Sequence, residues 1–278
     1  MTNTLLTSVT ELTVAMGFAA CAAMTLYLLI ERTTLNSASR RLVSKSTIIS
    51  GLGSLFFLGL LMAGSNPANT LAVIGTATPL TITGVAPSVI GFGLFAIALP
   101  IMIQTITNMA SYSQEANQIA ARAIAASVVM TTASFITSSL IAAGTTGTMT
   151  TIFAVVAVGS FGYIASQLYT SLPATMGEAS QTARNAYSTA RNFLVYPAMA
   201  YMAVTVLAQL GVMEAASGVA TLITTLATVA TFTGVSFTAL VSGREASRST
   251  INAANDVDIS VSGIAETPAK TAKKKKAA

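Results

Sequence analysis

The chain has 278 residues, of which 53% are hydrophobic and only 8% are charged, and its formal net charge is +5. Charged residues make up about a quarter of an ordinary soluble chain, so this composition excludes a typical water-soluble domain and indicates an integral, multi-pass membrane protein. The chain has no histidine and one cysteine, which excludes a disulfide framework and the common zinc sites. We therefore predict no metal site and no cofactor. Whether the membrane is cellular or viral is left open.

Seven long apolar stretches without a charged residue follow one another along the chain. Each approaches the length of about 20 residues that an α-helix needs to cross the hydrocarbon core of a bilayer. They cover residues 12–30, 47–63, 88–106, 123–143, 151–172, 193–210 and 219–241. The sequence therefore predicts an all-α fold, a bundle of seven transmembrane helices that forms one domain over residues 1–244.

An eighth uncharged stretch, residues 70–86, has a different pattern. Its threonines alternate with apolar residues about Pro79, which is typical of strands joined by a turn. The pattern predicts a short β-hairpin in the outer loop between the second and third helices. A re-entrant segment or an unusually short span is the alternative.

The basic residues predict the orientation of the bundle. With seven spans, all 14 lysines and arginines fall on connections at one side of the membrane or on the tail. An eighth span would divide them between the two sides. Because basic residues concentrate on the inner side of membrane proteins, we expect the N-terminus outside and the C-terminus inside.

The predicted spans contain no charged side chain, although such a side chain is the usual mark of a functional site inside a membrane. Neither a carboxylate pair nor a nucleophile with a base is available there. We therefore predict no catalytic residue and no enzyme activity. The remaining polar groups either line a path for a neutral solute or clamp neighbouring helices; they are Gln104, Thr105, Asn108 and Gln167.

The last 34 residues, 245–278, are rich in polar and small residues and end in a cluster of lysines. This composition predicts a disordered basic tail on the inner side. Such a tail either stays solvated and reinforces the orientation, or contacts anionic lipid, or contacts an acidic protein or nucleic acid through its charge. The contacting residues would be Lys270, Lys273, Lys274, Lys275 and Lys276.

Two local sequences indicate a known fold. The sixth span opens with Phe193 three positions before a Tyr196-Pro197 pair, and the third span contains Pro100. With seven spans, short outer links after spans four and six, and a hairpin-like insert, the sequence resembles the microbial (type 1) rhodopsin family, in which Phe193 stands where tryptophan is usual. The resemblance implies a rhodopsin-like bundle over roughly residues 8–244.

The same resemblance implies that the family's light-driven chemistry is missing. If Pro100 corresponds to the family's third-helix proline, the family's arginine, proton-acceptor carboxylate and proton-donor carboxylate correspond to Gly91, Leu94 and Thr105. The family's retinal-binding lysine lies in the seventh helix, and residues 219–241 contain no lysine. The resemblance therefore implies a rhodopsin-like protein that lacks the retinal-binding lysine and works without retinal.

These observations predict a non-enzymatic, non-photoactive structural or scaffolding protein of a viral membrane or an ordered cellular membrane. Its expected partners are the lipid bilayer, further copies of itself in a homo-oligomer or membrane array, and an acidic protein or nucleic acid at the tail. Small residues four apart, such as Gly17 and Cys21, Gly162 and Ser166, or Gly234 and Thr238, would let helices approach closely. A passive channel or carrier for a neutral solute and a light-independent receptor are the alternatives.

Overall fold

The computed structural model describes residues 2–62, 87–110, 113–142, 147–177, 180–209 and 218–265. Within these ranges all regular structure is helical and forms seven long helices. The predicted hairpin at 70–86 lies outside the described residues. In chain order the helices are α1 (Thr2–Glu31), α2 (Ser37–Met62), α3 (Pro87–Ala110), α4 (Gln114–Ala142), α5 (Thr148–Ser166), α6 (Gln181–Gln209) and α7 (Gly218–Ala265).

Six of these helices are long and apolar enough to cross a membrane within the described ranges, namely all except α6. The N-terminal part of α6 is mostly polar, which lowers its mean hydropathy although the helix has 29 residues. The prediction of an all-α, multi-pass membrane protein is confirmed, and each of the seven predicted spans overlaps a different long helix, although the ends differ.

Helix α7 packs against α1, α2 and α6 and makes a smaller contact with α3. Of its apolar window 56% is buried, against 22% for α1 and 17% for α5. Helix α3 packs between α2 and α4 and also contacts α6. Much of the surface of α1 and α5 is therefore available to lipid or to another protein, whereas a larger part of α7 is covered by neighbouring helices.

Helix α7 continues to Ala265, so the predicted disordered segment is wrong for residues 245–265. Neither glycine nor proline occurs between Arg244 and Ser262, and nothing in this stretch stops a helix once the membrane part has nucleated it. Residues 266–278, which include all five lysines of the predicted tail, lie outside the described residues.

Glycines set the distance between the central helices. A Cβ atom on Gly53 would lie 2.8 Å from Cγ of Phe232, and one on Gly17 would lie 2.9 Å from Cε1 of Phe57. Real Cβ atoms do not approach other atoms so closely. At Gly53 the contact is with the base of the Phe232 side chain, so glycine is required where α2 meets α7, whereas at Gly17 the contact is with the outer end of the Phe57 ring. By contrast, Gly162 has nothing within 4 Å of its Cβ position and faces away from the bundle.

Candidate functional site

An apolar cavity of about 110 Å³ lies at the centre of the bundle. Five helices form its wall, and α7 contributes Ala227, Thr228 and Thr231. The other lining residues come from α2, α3, α4 and α6: Phe56, Leu60, Phe95, Leu99, Met102, Met130, Thr131, Ser134, Leu194, Pro197, Ala198, Tyr201 and Met202.

The polar groups on α7 in this wall are already engaged. The hydroxyl of Thr228 donates to the carbonyl of Thr224 at 2.7 Å, and that of Thr231 donates to Ala227 at 2.9 Å. Helix α7 contains no lysine between its first and last residues, so it offers this cavity no amine for covalent attachment of an aldehyde. Apolar cavities of roughly 150 Å³ bind molecules the size of benzene, and this cavity suits a small apolar guest.

Hydroxyl groups elsewhere in the interior mostly bond to carbonyls of their own helix. Thr105 donates to Ile101 at 2.7 Å, and Thr107 donates to Ile103 at 2.9 Å. Among the serine and threonine hydroxyls of the described residues, two join helices instead: Thr25 on α1 donates to Ser50 at 3.0 Å, and Ser236 on α7 donates to the carbonyl of Ser46 at 3.1 Å. The second contact joins α7 to α2.

The four polar residues singled out in the sequence lie in different surroundings. Gln104 is exposed and Thr105 is buried, so they do not share a surface. Asn108 is half-buried and lines a cavity at the end of α3. Gln167 is half-buried and begins a π-helical turn, Gln167–Ser171, which continues α5 into a last α-helical turn, Leu172–Ala174.

The π-helical turn is part of the contact between α5 and α6. The Tyr187 hydroxyl donates to the carbonyl of Leu168, and Tyr169 donates to Oδ1 of Asn192 at 2.9 Å. The guanidinium of Arg191 lies 3.8 Å from the centre of the Tyr169 ring, a cation–π distance. Nothing in the sequence predicts the wider turn, because its residues have ordinary helical propensities.

The ends of α1, α2 and α7 meet at the end of the bundle that carries the basic residues, called here the basic end. Arg244 on α7 forms an ion pair with Glu31 of α1 at 2.5 Å and donates to the Tyr27 hydroxyl at 2.7 Å. The backbone N–H of Asn36 donates to Ser247 at 3.4 Å. Because the Arg244 side chain is 39% exposed, its ion pair is a modest contribution to stability.

A second cavity, called here the basic-end vestibule, opens between α2, α3, α6 and α7 and has a volume of about 490 Å³. Five of its lining residues carry a hydroxyl group, and one of these, Ser39, is only 4% exposed. The Ser39 hydroxyl has no hydrogen-bond partner among the described residues. The vestibule is lined by Ser39, Leu42, Asn108, Met109, Ser180, Thr182, Ala183, Ser242, Gly243, Glu245, Ala246 and Ser249.

The sequence does not predict this vestibule, because its residues are distributed over four segments far apart in the chain. Of the lining residues, only Asn108 stands out in the sequence, as a member of a polar path or a helix clamp. Among the described residues there is no group of three or more histidine, cysteine, aspartate or glutamate side chains that could hold a metal ion. The lysines predicted to contact lipid or a polyanion lie outside the described residues.

Comparison with solved structures shows the fold of microbial rhodopsins. The rhodopsin of Exiguobacterium sibiricum superimposes with a TM-score of 0.71 at 18% identity, covering 87% of this chain and 98% of that one. A cyanorhodopsin from the cyanobacterium Calothrix gives 0.67 at 18% identity, covering 85% and 95%. Xanthorhodopsin, described as a light-driven ion pump with a dual chromophore, gives 0.69 at 11% identity, covering 88% and 96%.

No protein-family model matches the sequence, and no curated protein matches it significantly. At these identities the likeness concerns the fold, and a fold alone does not give a function. The fold nevertheless fixes the arrangement of α1 to α7. The function of the protein depends on the side chains that these helices bring together.

Proposed function

We propose that this protein is a non-enzymatic structural component of its membrane, which uses a rhodopsin-like bundle without retinal. The single observation that carries the proposal is the seventh helix. Retinal in a microbial rhodopsin is held as a Schiff base, which needs a lysine amine, and α7 presents Ala227, Thr228 and Thr231 to the central cavity. No lysine occurs anywhere in Gly218–Ala265.

The third helix supports the same conclusion. If Pro100 corresponds to the family's third-helix proline, Gly91, Leu94 and Thr105 stand at the positions where the family has its arginine and its two proton-transferring carboxylates. Leu94 is packed against the hydrophobic core, and the Thr105 hydroxyl is bonded to its own helix. None of these groups accepts or releases a proton at neutral pH, so proton pumping along α3 has no carriers.

The interior also gives little support to a channel or carrier. The central cavity is lined mainly by apolar side chains, and the α7 threonines beside it donate to α7 carbonyls. Of the polar residues considered for a path, Gln104 is exposed and only Asn108 lines a polar cavity. A hydrated route across the bundle would need polar groups through its whole length.

The outer face of α5 supports self-association. Val155 is 65% exposed, and on the same face Gly159 and Gly162 have nothing within 4 Å of their Cβ positions. In lipid, such small residues let helices of two molecules approach closely, and van der Waals packing then stabilises the pair. We propose that copies of the chain associate through this face into an oligomer or array.

The basic residues beyond the bundle complete the proposed scaffold. The five lysines of residues 270–276 would each contribute about 1 kcal/mol of attraction to an anionic lipid surface when close to it. The same charges suit an acidic protein or nucleic acid below the membrane. In this proposal the tail links the membrane array to an anionic layer, and no catalytic step is involved.

Reconstitution tests the absence of light-driven transport. We expect liposomes containing the protein, incubated with all-trans-retinal and illuminated, to show no light-dependent pH change, because α7 offers no amine and α3 offers no proton carrier. Exiguobacterium sibiricum rhodopsin, treated in the same way, serves as the positive control for retinal uptake. A light-dependent pH change, or a visible absorption band distinct from that of free retinal, would contradict the proposal.

A further inference from the structure

We propose that the basic-end vestibule binds a small organic ammonium ion, with the Glu245 carboxylate as counter-charge and the Ser39 hydroxyl as a buried hydrogen-bond partner. The inference does not depend on the proposed scaffold role. It starts from Ser39, whose hydroxyl is unpartnered among the described residues although the residue is only 4% exposed. A buried hydroxyl without a partner costs about 1–3 kcal/mol, so a ligand that bonds to it recovers this cost.

The charge of the lining favours a cation. Glu245 is the one ionisable side chain among the described residues of the vestibule wall, and it forms no ion pair within the described part of the chain. Five arginines adjoin lining residues in the sequence, and none of them is among the described residues of the vestibule wall. Arg40 donates to the carbonyl of Leu35 at 3.2 Å, and Arg184 donates to that of Gly177 at 2.5 Å. Arg244 is paired with Glu31.

The helix ends around the vestibule are consistent with a positively charged ligand. Helices α2 and α6 begin here, and free N-terminal amides would favour an anion. Both ends are capped: the Ser39 N–H donates to Oδ1 of Asn36 at 2.9 Å, and the Ala183 N–H donates to Oγ of Ser180 at 3.2 Å. The third helix ends here at Ala110, and the partial negative charge of a helix C-terminus favours a cation.

The remaining lining specifies an ammonium that carries a short carbon chain. An ammonium group has three N–H donors and no acceptor, and the oxygens of Ser39, Asn108 and Ser242 supply acceptors. Leu42 and Met109 add apolar contact for the carbon atoms. Such a group could come from a free amine in the inner compartment or from an ethanolamine headgroup of the adjacent leaflet, and both share the same chemistry.

Titration of ethanolamine tests the proposal. The full chain is placed in nanodiscs of phosphatidylcholine alone, and the heat of binding is measured. We expect saturable binding that weakens at least tenfold in Glu245→Gln, because the counter-charge is lost. Glu115→Gln is the matched control, since Glu115 lies in the first turn of α4 and does not line the vestibule. The affinity of Glu115→Gln for ethanolamine is expected to equal that of the wild type.

A second variant, Ser39→Ala, separates binding from folding. It is expected to weaken ethanolamine binding without lowering the midpoint of thermal unfolding, because an unpartnered buried hydroxyl is removed. Unchanged affinity in Ser39→Ala or in Glu245→Gln, or an equal loss in Glu115→Gln, would overturn the proposal.

A lipid assay distinguishes the two sources of the ammonium. Protein extracted from equimolar phosphatidylethanolamine and phosphatidylcholine is examined by mass spectrometry for retained lipid. Enrichment of phosphatidylethanolamine in the wild type but not in Glu245→Gln would identify the headgroup as the ligand. Saturable ethanolamine binding without such enrichment would identify a free amine. Absence of both would overturn the proposal.

Discussion

Replacement of Phe232 by alanine is expected to lower the free energy of unfolding by about 3–5 kcal/mol, the range for truncating a buried phenylalanine. Phe232 is fully buried on α7. Its ring meets that of Phe95 on α3 edge to face, with 5.5 Å between the centroids, and it fills the space that Gly53 leaves on α2. The truncation therefore opens a void where three helices meet.

The measurement is the unfolding of the detergent-solubilised protein by sodium dodecyl sulfate, followed by circular dichroism. Phe237→Ala is the matched control, because Phe237 lies on the same helix but is 53% exposed. The loss of unfolding free energy in Phe237→Ala should be well under half of that in Phe232→Ala. Equal losses for the two variants would show that Phe232 does not hold the centre of the bundle together.

Replacement of Gly234 by alanine is expected to cost about 1–3 kcal/mol of unfolding free energy through overpacking. A Cβ atom at this position would overlap the ring of Phe193 on α6 and would lie 2.9 Å from the Phe193 Cβ. Because the conflict involves the base of the side chain and not its flexible end, a rotation of the ring cannot remove it. Helices α6 and α7 would have to move apart.

The effect of Gly234→Ala is compared with its effect in a second background and with a control glycine. In the Phe193→Ala background, the added cost of Gly234→Ala should fall, since the opposing ring is gone and only the 2.9 Å contact with the Cβ of residue 193 remains. Gly159→Ala on α5 is the control, because nothing lies within 4 Å of its Cβ position and alanine favours a helix by about 1 kcal/mol over glycine. Additive costs at residues 193 and 234 would contradict the contact between α6 and α7.

The membrane helices were predictable from the sequence because uncharged apolar stretches long enough to cross a bilayer are rare outside transmembrane helices. Their ends were predicted poorly, since apolar composition marks the membrane boundary and not the end of the helix. The extension of α7 to Ala265 has a polar composition, but it contains no residue that breaks a helix before Gly263.

The sequence also did not predict whether a small residue faces a neighbouring helix or the outside of the bundle. Gly234 faces a neighbouring helix, whereas Gly162 faces outward, although each begins a pair of small residues four apart. Lipid is as apolar as the interior of the bundle, so hydrophobic patterning does not distinguish the two sides of a membrane helix. The basic-end vestibule was not predicted either, because α2, α3, α6 and α7 are far apart in the sequence and meet only in the folded chain.

The shared fold accounts for the superposition of this protein on microbial rhodopsins, one of them described as a light-driven ion pump, while the proposed function differs. The bundle geometry depends on close helix contacts such as Gly53 with Phe232, which tolerate changes elsewhere. Light-driven chemistry depends on a few ionisable side chains, and in the proposed match through Pro100 their positions are Gly91, Leu94 and Thr105. On this proposal the bundle is present without the ionisable groups that the reaction needs.

We propose that the protein is a colourless, self-associating membrane scaffold. The most direct test of this claim is purification from the native membrane in mild detergent, with the absorption spectrum and the mass of the intact particle recorded on the same sample. We predict a particle that contains several copies of the chain and has no absorption band in the visible range. A pigmented particle, or a colourless monomer without partners, would contradict the claim.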